Sequence, residues 1–127
     1  MTIQEQIDSE YAAILGHPIV RSSVLIRRSA NRLDGYLRVR CILTNDDLLE
    51  IALHIALHDG RLVIDDYRYQ WMNSTQTVLR HRWDNTPHFP DLPGFPHHCH
   101  VGHENNVEPA APMDVGELLD YISDSIG

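Results

Sequence analysis

From Ile19 to Asp84 apolar residues recur at every second position, and only short polar breaks interrupt the pattern. Leu49, Ile51, Leu53, Ile55 and Leu57 alternate with Glu50, Ala52, His54, Ala56 and His58. Leu37, Val39, Cys41 and Leu43 alternate likewise with Tyr36, Arg38, Arg40 and Ile42. Successive side chains of a strand point to opposite faces, so this period marks strands with one buried face. Breaks fall at Asn31–Gly35, Asn45–Asp47, Asp59-Gly60 and Met72–Thr75. Connections this short cannot carry a crossover, which forces antiparallel neighbours. Asp59-Gly60 in particular has the chemistry of a two-residue hairpin turn. The expectation is a five-stranded meander over about 20–30, 33–44, 48–58, 61–71 and 76–84.

Helices flank this region. Thr2-Ile3-Gln4-Glu5 has capping-box form, Ile3, Ile7, Tyr11, Ile14 and Leu15 follow helical spacing, and Gly16 and Pro18 end the run. Asp114-Val115-Gly116-Glu117 opens a second helix whose apolar face is Val115, Leu118, Leu119, Ile122 and Ile126. Before it, Pro87, Pro90, Pro93 and Pro96 fall at every third residue, the polyproline II period. That spacing predicts a stiff extended segment over 86–96, anchored by Phe89, Leu92 and Phe95. The fold class is therefore α+β: an antiparallel five-stranded meander sheet with N- and C-terminal helices and a proline-rich extended segment. At 127 residues the chain is one domain, 1–127.

No apolar run approaches the ~18 residues of a membrane span, and the polar, acidic start MTIQEQIDSEY is no secretory signal. A cytoplasmic protein without membrane contact is the expectation, and two cysteines, Cys41 and Cys99, do not make a disulfide framework. The net charge of −8 argues against a broad nucleic-acid surface but leaves room for a local basic face. All ten basic residues are Arg. Guanidinium suits bidentate phosphate contacts, although a genome that prefers arginine codons explains the bias more plainly.

Five of nine histidines, His88, His97, His98, His100 and His103, lie within sixteen residues. In an extended segment His98 and His100 share one face, with His97 and Cys99 on the other. Three readings follow. The first is acid–base cleavage of a phosphodiester: one neutral histidine takes the proton of a ribose 2′-OH, a protonated one serves the leaving oxygen, and an arginine offsets phosphoryl charge. Its catalytic candidates are Asp84, His88, His97, His98, His100 and Arg82. Its substrate-binding candidates are Arg38, Arg40, Arg68, Asn85 and the aromatic face of Tyr67, Tyr69 and Trp71, which could stack on unpaired bases. The second is a metal site built from His88, His98 and His100 with Asp84 or Cys99, suited to a divalent ion such as zinc. The third is architectural: histidines bonded to backbone carbonyls, and aromatics packed in the sheet. Metal-free chemistry that needs no cofactor is favoured over the metal site. A basic rim around His98 favours an enzyme, whereas an acidic rim favours a metal site or a binding module. His54 and His58, on the polar face of a strand, read as solvated. No Walker loop, dinucleotide fingerprint or nucleophile elbow is present.

Tyr67-Arg68-Tyr69-Gln70-Trp71, Arg82-Trp83-Asp84-Asn85-Thr86-Pro87-His88 and Phe95-Pro96-His97-His98-Cys99-His100-Val101-Gly102 together resemble the TumE-type toxin family. Its members carry an aromatic-Asp-Asn, a nearby His and a His-x-His. The resemblance covers roughly 20–122 and is strongest over 67–104. It implies the toxin half of a two-gene toxin–antitoxin module, with a helix-turn-helix antitoxin as partner. It also implies a site at Asp84, Asn85, His88, His97, His98 and His100. Cys99 departs from the pattern, standing where relatives often have Lys or Arg. Ribonuclease activity, with RNA as substrate, comes from the residues and not from the resemblance. The other reading is a non-catalytic, metal-stabilised binding module that acts through a protein partner, and a homodimer is one assembly it allows.

Overall fold

The computed structural model describes residues 1–126. The chain runs α1 (Ile3–Gly16), β1 (Val20–Ala30), β2 (Asp34–Leu43), β3 (Leu48–His58), β4 (Arg61–Met72), β5 (Leu79–Asp84), β6 (His98–Val101), β7 (Val107–Pro109) and α2 (Val115–Ile126). All strands pair antiparallel with their chain neighbours, in the order β1-β2-β3-β4-β5-β6-β7. The meander is as expected but has seven strands, not five. β6 and β7 span only four and three residues, too few for a period-two signal, and β6 is half histidine.

Local chemistry sets the boundaries. Asp59 (φ 50°) and Gly60 (φ 77°) both take positive φ, as a type I′ hairpin turn requires. β5 begins at Leu79, later than expected. The Asn73 side chain accepts from the Thr77 and Val78 N–H groups and holds residues 73–78 in a loop. Both capping boxes form: Thr2 with Glu5 (3.1 and 2.9 Å) and Asp114 with Glu117 (2.8 and 3.3 Å).

Both helices cover one face of the sheet. Ile3, Ile7 and Ile14 of α1 and Val115, Leu118, Leu119 and Ile122 of α2 pack with Leu37, Val39, Leu49, Ile51, Leu53, Tyr69, Trp71 and Trp83 into one core. Leu15, expected in the stripe of α1, is exposed. α1 lies so close to β2 that a Cβ on Gly35 would sit 2.7 Å from Ile3 Cγ2. Among the described residues the opposite face of the sheet carries no helix.

The proline-rich segment is not the stiff extended run expected. Hydrogen bonds Leu92 N–Phe89 O (3.2 Å), Phe95 N–Leu92 O (3.2 Å) and His97 N–Gly94 O (3.1 Å) close consecutive turns, which polyproline II lacks. Period-three prolines fit this equally well. Pro90 and Pro93 each stand second in a turn, Gly94 (φ 81°) follows Pro93 as a type II turn requires, and the Phe95–Pro96 bond is cis. Phe89 and Leu92 are half-buried, but Phe95 is exposed and anchors nothing.

Candidate functional site

Alternation in β5 and β6 sorts side chains between the two faces. Trp83 and Cys99 point to the helices and join the core, while Asp84, His98 and His100 point the other way. The register sets Asp84 opposite His98 and Arg82 opposite His100. Donor and acceptor atoms of the three residues converge: His98 Nε2 is 2.9 Å from Asp84 Oδ1, and His100 Nε2 is 3.7 Å from Asp84 Oδ2. All three are buried, with His98 1% exposed and His100 and Asp84 5% each.

The far sides of the two rings fix their tautomers. His98 Nδ1 lies 3.0 Å from the Pro96 carbonyl oxygen, and His100 Nδ1 lies 2.7 Å from that of Glu104. A carbonyl can only accept, so each Nδ1 carries a proton and donates it. A neutral ring therefore turns a bare Nε2 lone pair towards Asp84. Burial lowers the His100 pKa, with the Arg82 and His98 charges adding to the effect against the pull of the Glu104 carbonyl and Asp84. Phe89 covers the pair edge-on, its ring centroid 4.9 Å from His98 and 6.0 Å from His100. Arg82 closes the side: its Nε is 3.6 Å from Asp84 Oδ2 and its Nη1 3.0 Å from Glu104 Oε1.

Rows of registered residues lead from this trio across the uncovered face. One runs His98, Asp84, Arg68, Ala52, Arg38, Arg27; the next runs His100, Arg82, Gln70, Glu50, Arg40. Charge is unevenly divided between the layers, although the strands also carry six carboxylates, Asp34, Glu50, Asp65, Asp66, Asp84 and Glu108. The two helices hold six carboxylates and no arginine, whereas nine of the ten arginines lie in strands. The net charge of −8 is thus not spread over the sheet, and the rim beside His98 is mixed, with Arg82 and Arg68 against Glu104.

The family model described as toxin TumE matches residues 10–126. The chain belongs to the TumE toxin family. Membership implies an antitoxin partner, and the matched segment contains the whole sheet and the trio. Searches of curated proteins and of solved structures return no match. Among the described residues no helix is long and apolar enough to cross a membrane.

Other residues that the TumE resemblance or the sequence singled out fall in different places. His88 lies exposed in the loop beside Phe89, outside the trio, so among the described residues the metal-capable set is Asp84, His98 and His100 and does not include His88. His97 takes the opposite side from His98. Its Nδ1 is 2.8 Å from the Tyr67 hydroxyl and its ring stacks on Tyr67. Asn85 mends a bulge in β4: Oδ1 accepts from Tyr67 N–H (3.1 Å) and Nδ2 donates to the Asp65 carbonyl (2.9 Å). Tyr67 and Tyr69 are core residues, 5% and 0% exposed, and offer no stacking face to a base. Burial pushes the Tyr67 hydroxyl up to about 12, helped by the charges of Asp84 and Cys99. Burial likewise takes the free thiols of Cys41 and Cys99 up to about 12, so neither is a poised nucleophile.

Arg38 and Arg40 reach the uncovered face but both bind Glu50, at 2.8 and 3.0 Å. Arg68, next to Asp84 in register, bonds only Gln70 (2.9 Å) and has no carboxylate within salt-bridge range among the described residues. With Tyr36, Arg38 and Gln70 it lines a depression of about 270 Å³. His54 is not merely solvated: Asp65 (2.6 Å) and Asp34 (3.0 Å) bracket its ring. Sequence reasoning gave no sign of this bracket, nor of the Pro96 and Glu104 carbonyls, since each depends on register and loop path.

Proposed function

We propose that this TumE-family toxin acts by cleaving RNA, with Asp84, His98 and His100 as the reacting centre and the uncovered sheet face as the strand's track. The observation that carries this reading is the registered row from Arg27 through Arg38 and Arg68 to Asp84 and His98. Four strand spacings separate Arg27 from Asp84, about 19 Å at ~4.8 Å per strand. A single strand of RNA laid across the strands would meet cationic groups along that length. Phosphate contacts supply most of such affinity without reading sequence. Arg82 and Arg68 flank the carboxylate and would offset charge on a phosphoryl group. Tyr67 and Tyr69 take no part in base stacking, because both are in the core. The antitoxin, in this reading, is the helix-turn-helix protein of the same module.

The near-complete burial of the trio under Phe89 favours a second reading. There the histidines are architecture, and the chain is a binding module that acts through a partner protein. The two separate in cells that express the toxin without its antitoxin. The nuclease reading expects growth arrest with loss of full-length RNA, and relief of both by His98→Ala at matched protein level. Arrest with intact RNA favours the binding module.

A further inference from the structure

We infer that Asp84, His98 and His100 form a binding site for one divalent cation of the zinc–manganese type. Three acceptors meet at this point. Each Nδ1–H donates to a backbone carbonyl, of Pro96 or of Glu104, so in the neutral rings two imidazole lone pairs face the carboxylate across a few ångströms, and the Thr86 N–H, 3.1 Å from Asp84 Oδ1, is the backbone donor which that carboxylate meets. Either a proton on one Nε2 or a cation among the three offsets the repulsion of these acceptors, and it is the cation that uses all three at once. All their ligand atoms lie within 4.8 Å of one another. Around an ion with bonds of ~2.0–2.1 Å, tetrahedral ligand atoms stand ~3.3 Å apart. The observed separations of 2.9 and 3.7 Å lie on either side of that value.

The supports are those of a metal site. A ligating histidine usually donates its other ring N–H to a carbonyl or carboxylate, which fixes both tautomer and ring orientation. Here both rings do so. Two nitrogens and one oxygen select a borderline ion over magnesium or calcium, which prefer all-oxygen shells. Three protein ligands leave positions open for water, the pattern of catalytic sites. The cation nearest the trio is Arg82, and Glu104 holds part of its guanidinium away from Asp84.

Binding itself does not depend on the RNA reading, but the consequence for chemistry does. A coordinated water would release a proton to solvent and attack phosphorus as hydroxide. The bond from phosphorus to the 3′ oxygen would break, and an equal proton would return from solvent to that leaving oxygen. The ends are then a 5′-phosphate and a 3′-hydroxyl, not the 2′,3′-cyclic phosphate left by a metal-free histidine pair.

The test is calorimetric titration of chelator-stripped full-length protein with Zn²⁺ and Mn²⁺. One equivalent of at least one ion is expected. Removing a partner of a ligating group costs ~10–100-fold in affinity, so removing a ligand by Asp84→Asn, His98→Ala or His100→Ala should cost ~100-fold or more, while His58→Ala and His103→Ala change nothing. Because a variant of a buried residue can misfold, ¹⁵N spectra of the unmodified protein supply an independent reading. On adding Zn²⁺ the Nε2 resonances of His98 and His100 should shift while both Nδ1 stay protonated. No stoichiometric binding of either ion, or binding that leaves those two rings unmoved, overturns the site. Bound metal without RNA cleavage keeps the site and removes the nuclease reading. Cleavage by metal-free protein in excess chelator, with no ion bound on titration, does the reverse.

Discussion

Asp84 and His98 face each other across the β5–β6 pair with 2.9 Å between carboxylate oxygen and imidazole nitrogen, and the same carboxylate turns its second oxygen to His100. Asp84 is therefore the hub of the trio and not an orienting group behind one histidine. Asp84→Asn keeps the shape but replaces a charge by an amide. It is expected to relieve growth arrest as fully as His98→Ala, with activity down by about 10²–10⁴-fold. Partial toxicity, clearly above that of His98→Ala, would demote Asp84 to a positioning role.

Asn85 adjoins Asp84 in sequence, yet its work is in the backbone. It satisfies Tyr67 N–H and the Asp65 carbonyl where the β4 bulge leaves them unpaired. Asn85→Ala should cost about 1–2 kcal/mol in denaturant unfolding, the range for stranding polar groups. The folded fraction should keep its activity. A large loss of turnover at unchanged stability would put Asn85 in the reacting centre.

His54 provides a pH signature away from the trio. Its hydrogen bonds to Asp65, then to Asp34, raise its pKa above the ordinary 6.5. The folded value exceeds the unfolded one, so this contribution to stability is complete below 6.5 and fades as pH rises through the folded value. An NMR titration should place His54 above 6.5, and Asp65→Asn should bring it down. A midpoint at or below 6.5 in the unmodified protein would contradict the bracket seen here.

Arg68 is the arginine beside Asp84 that no carboxylate neutralises among the described residues. Arg68→Ala should weaken RNA binding similarly for all sequences and reduce the slope of log K against log salt by about 1. Arg40→Ala should do less, because Arg40 is already tied to Glu50. Equal effects would argue against a track that runs past Asp84.

Much of this architecture is legible in the residues. Alternation in Leu37–Leu43 and Leu49–Leu57, the Asp59-Gly60 turn and both capping boxes each act locally, so their signals survive without tertiary context. The pairing of His98 with His100 on one face also follows from alternation alone. What stayed hidden depends on the third dimension. The extra residue in β4 near Asp65 shifts the inward phase from Leu62 and Ile64 to Tyr67, Tyr69 and Trp71. The shared face of those aromatics was readable, but its direction into the core was not. Asp84 meets His98 only because β6 returns beside β5 after thirteen intervening residues, and no spacing rule predicts that register. The prolines misled because a period of three suits consecutive turns as well as an extended helix.

The central claim, that Asp84, His98 and His100 cleave RNA, is tested most directly on a defined 5′-labelled RNA incubated with purified protein. Wild type, Asp84→Asn and His98→Ala would be compared at matched folded concentration. Cleavage by the wild type only is expected, with ends that carry 5′-phosphate and 3′-hydroxyl when the metal is bound. Undiminished cleavage by both variants, or no cleavage of any RNA by the metal-loaded wild type, would contradict it.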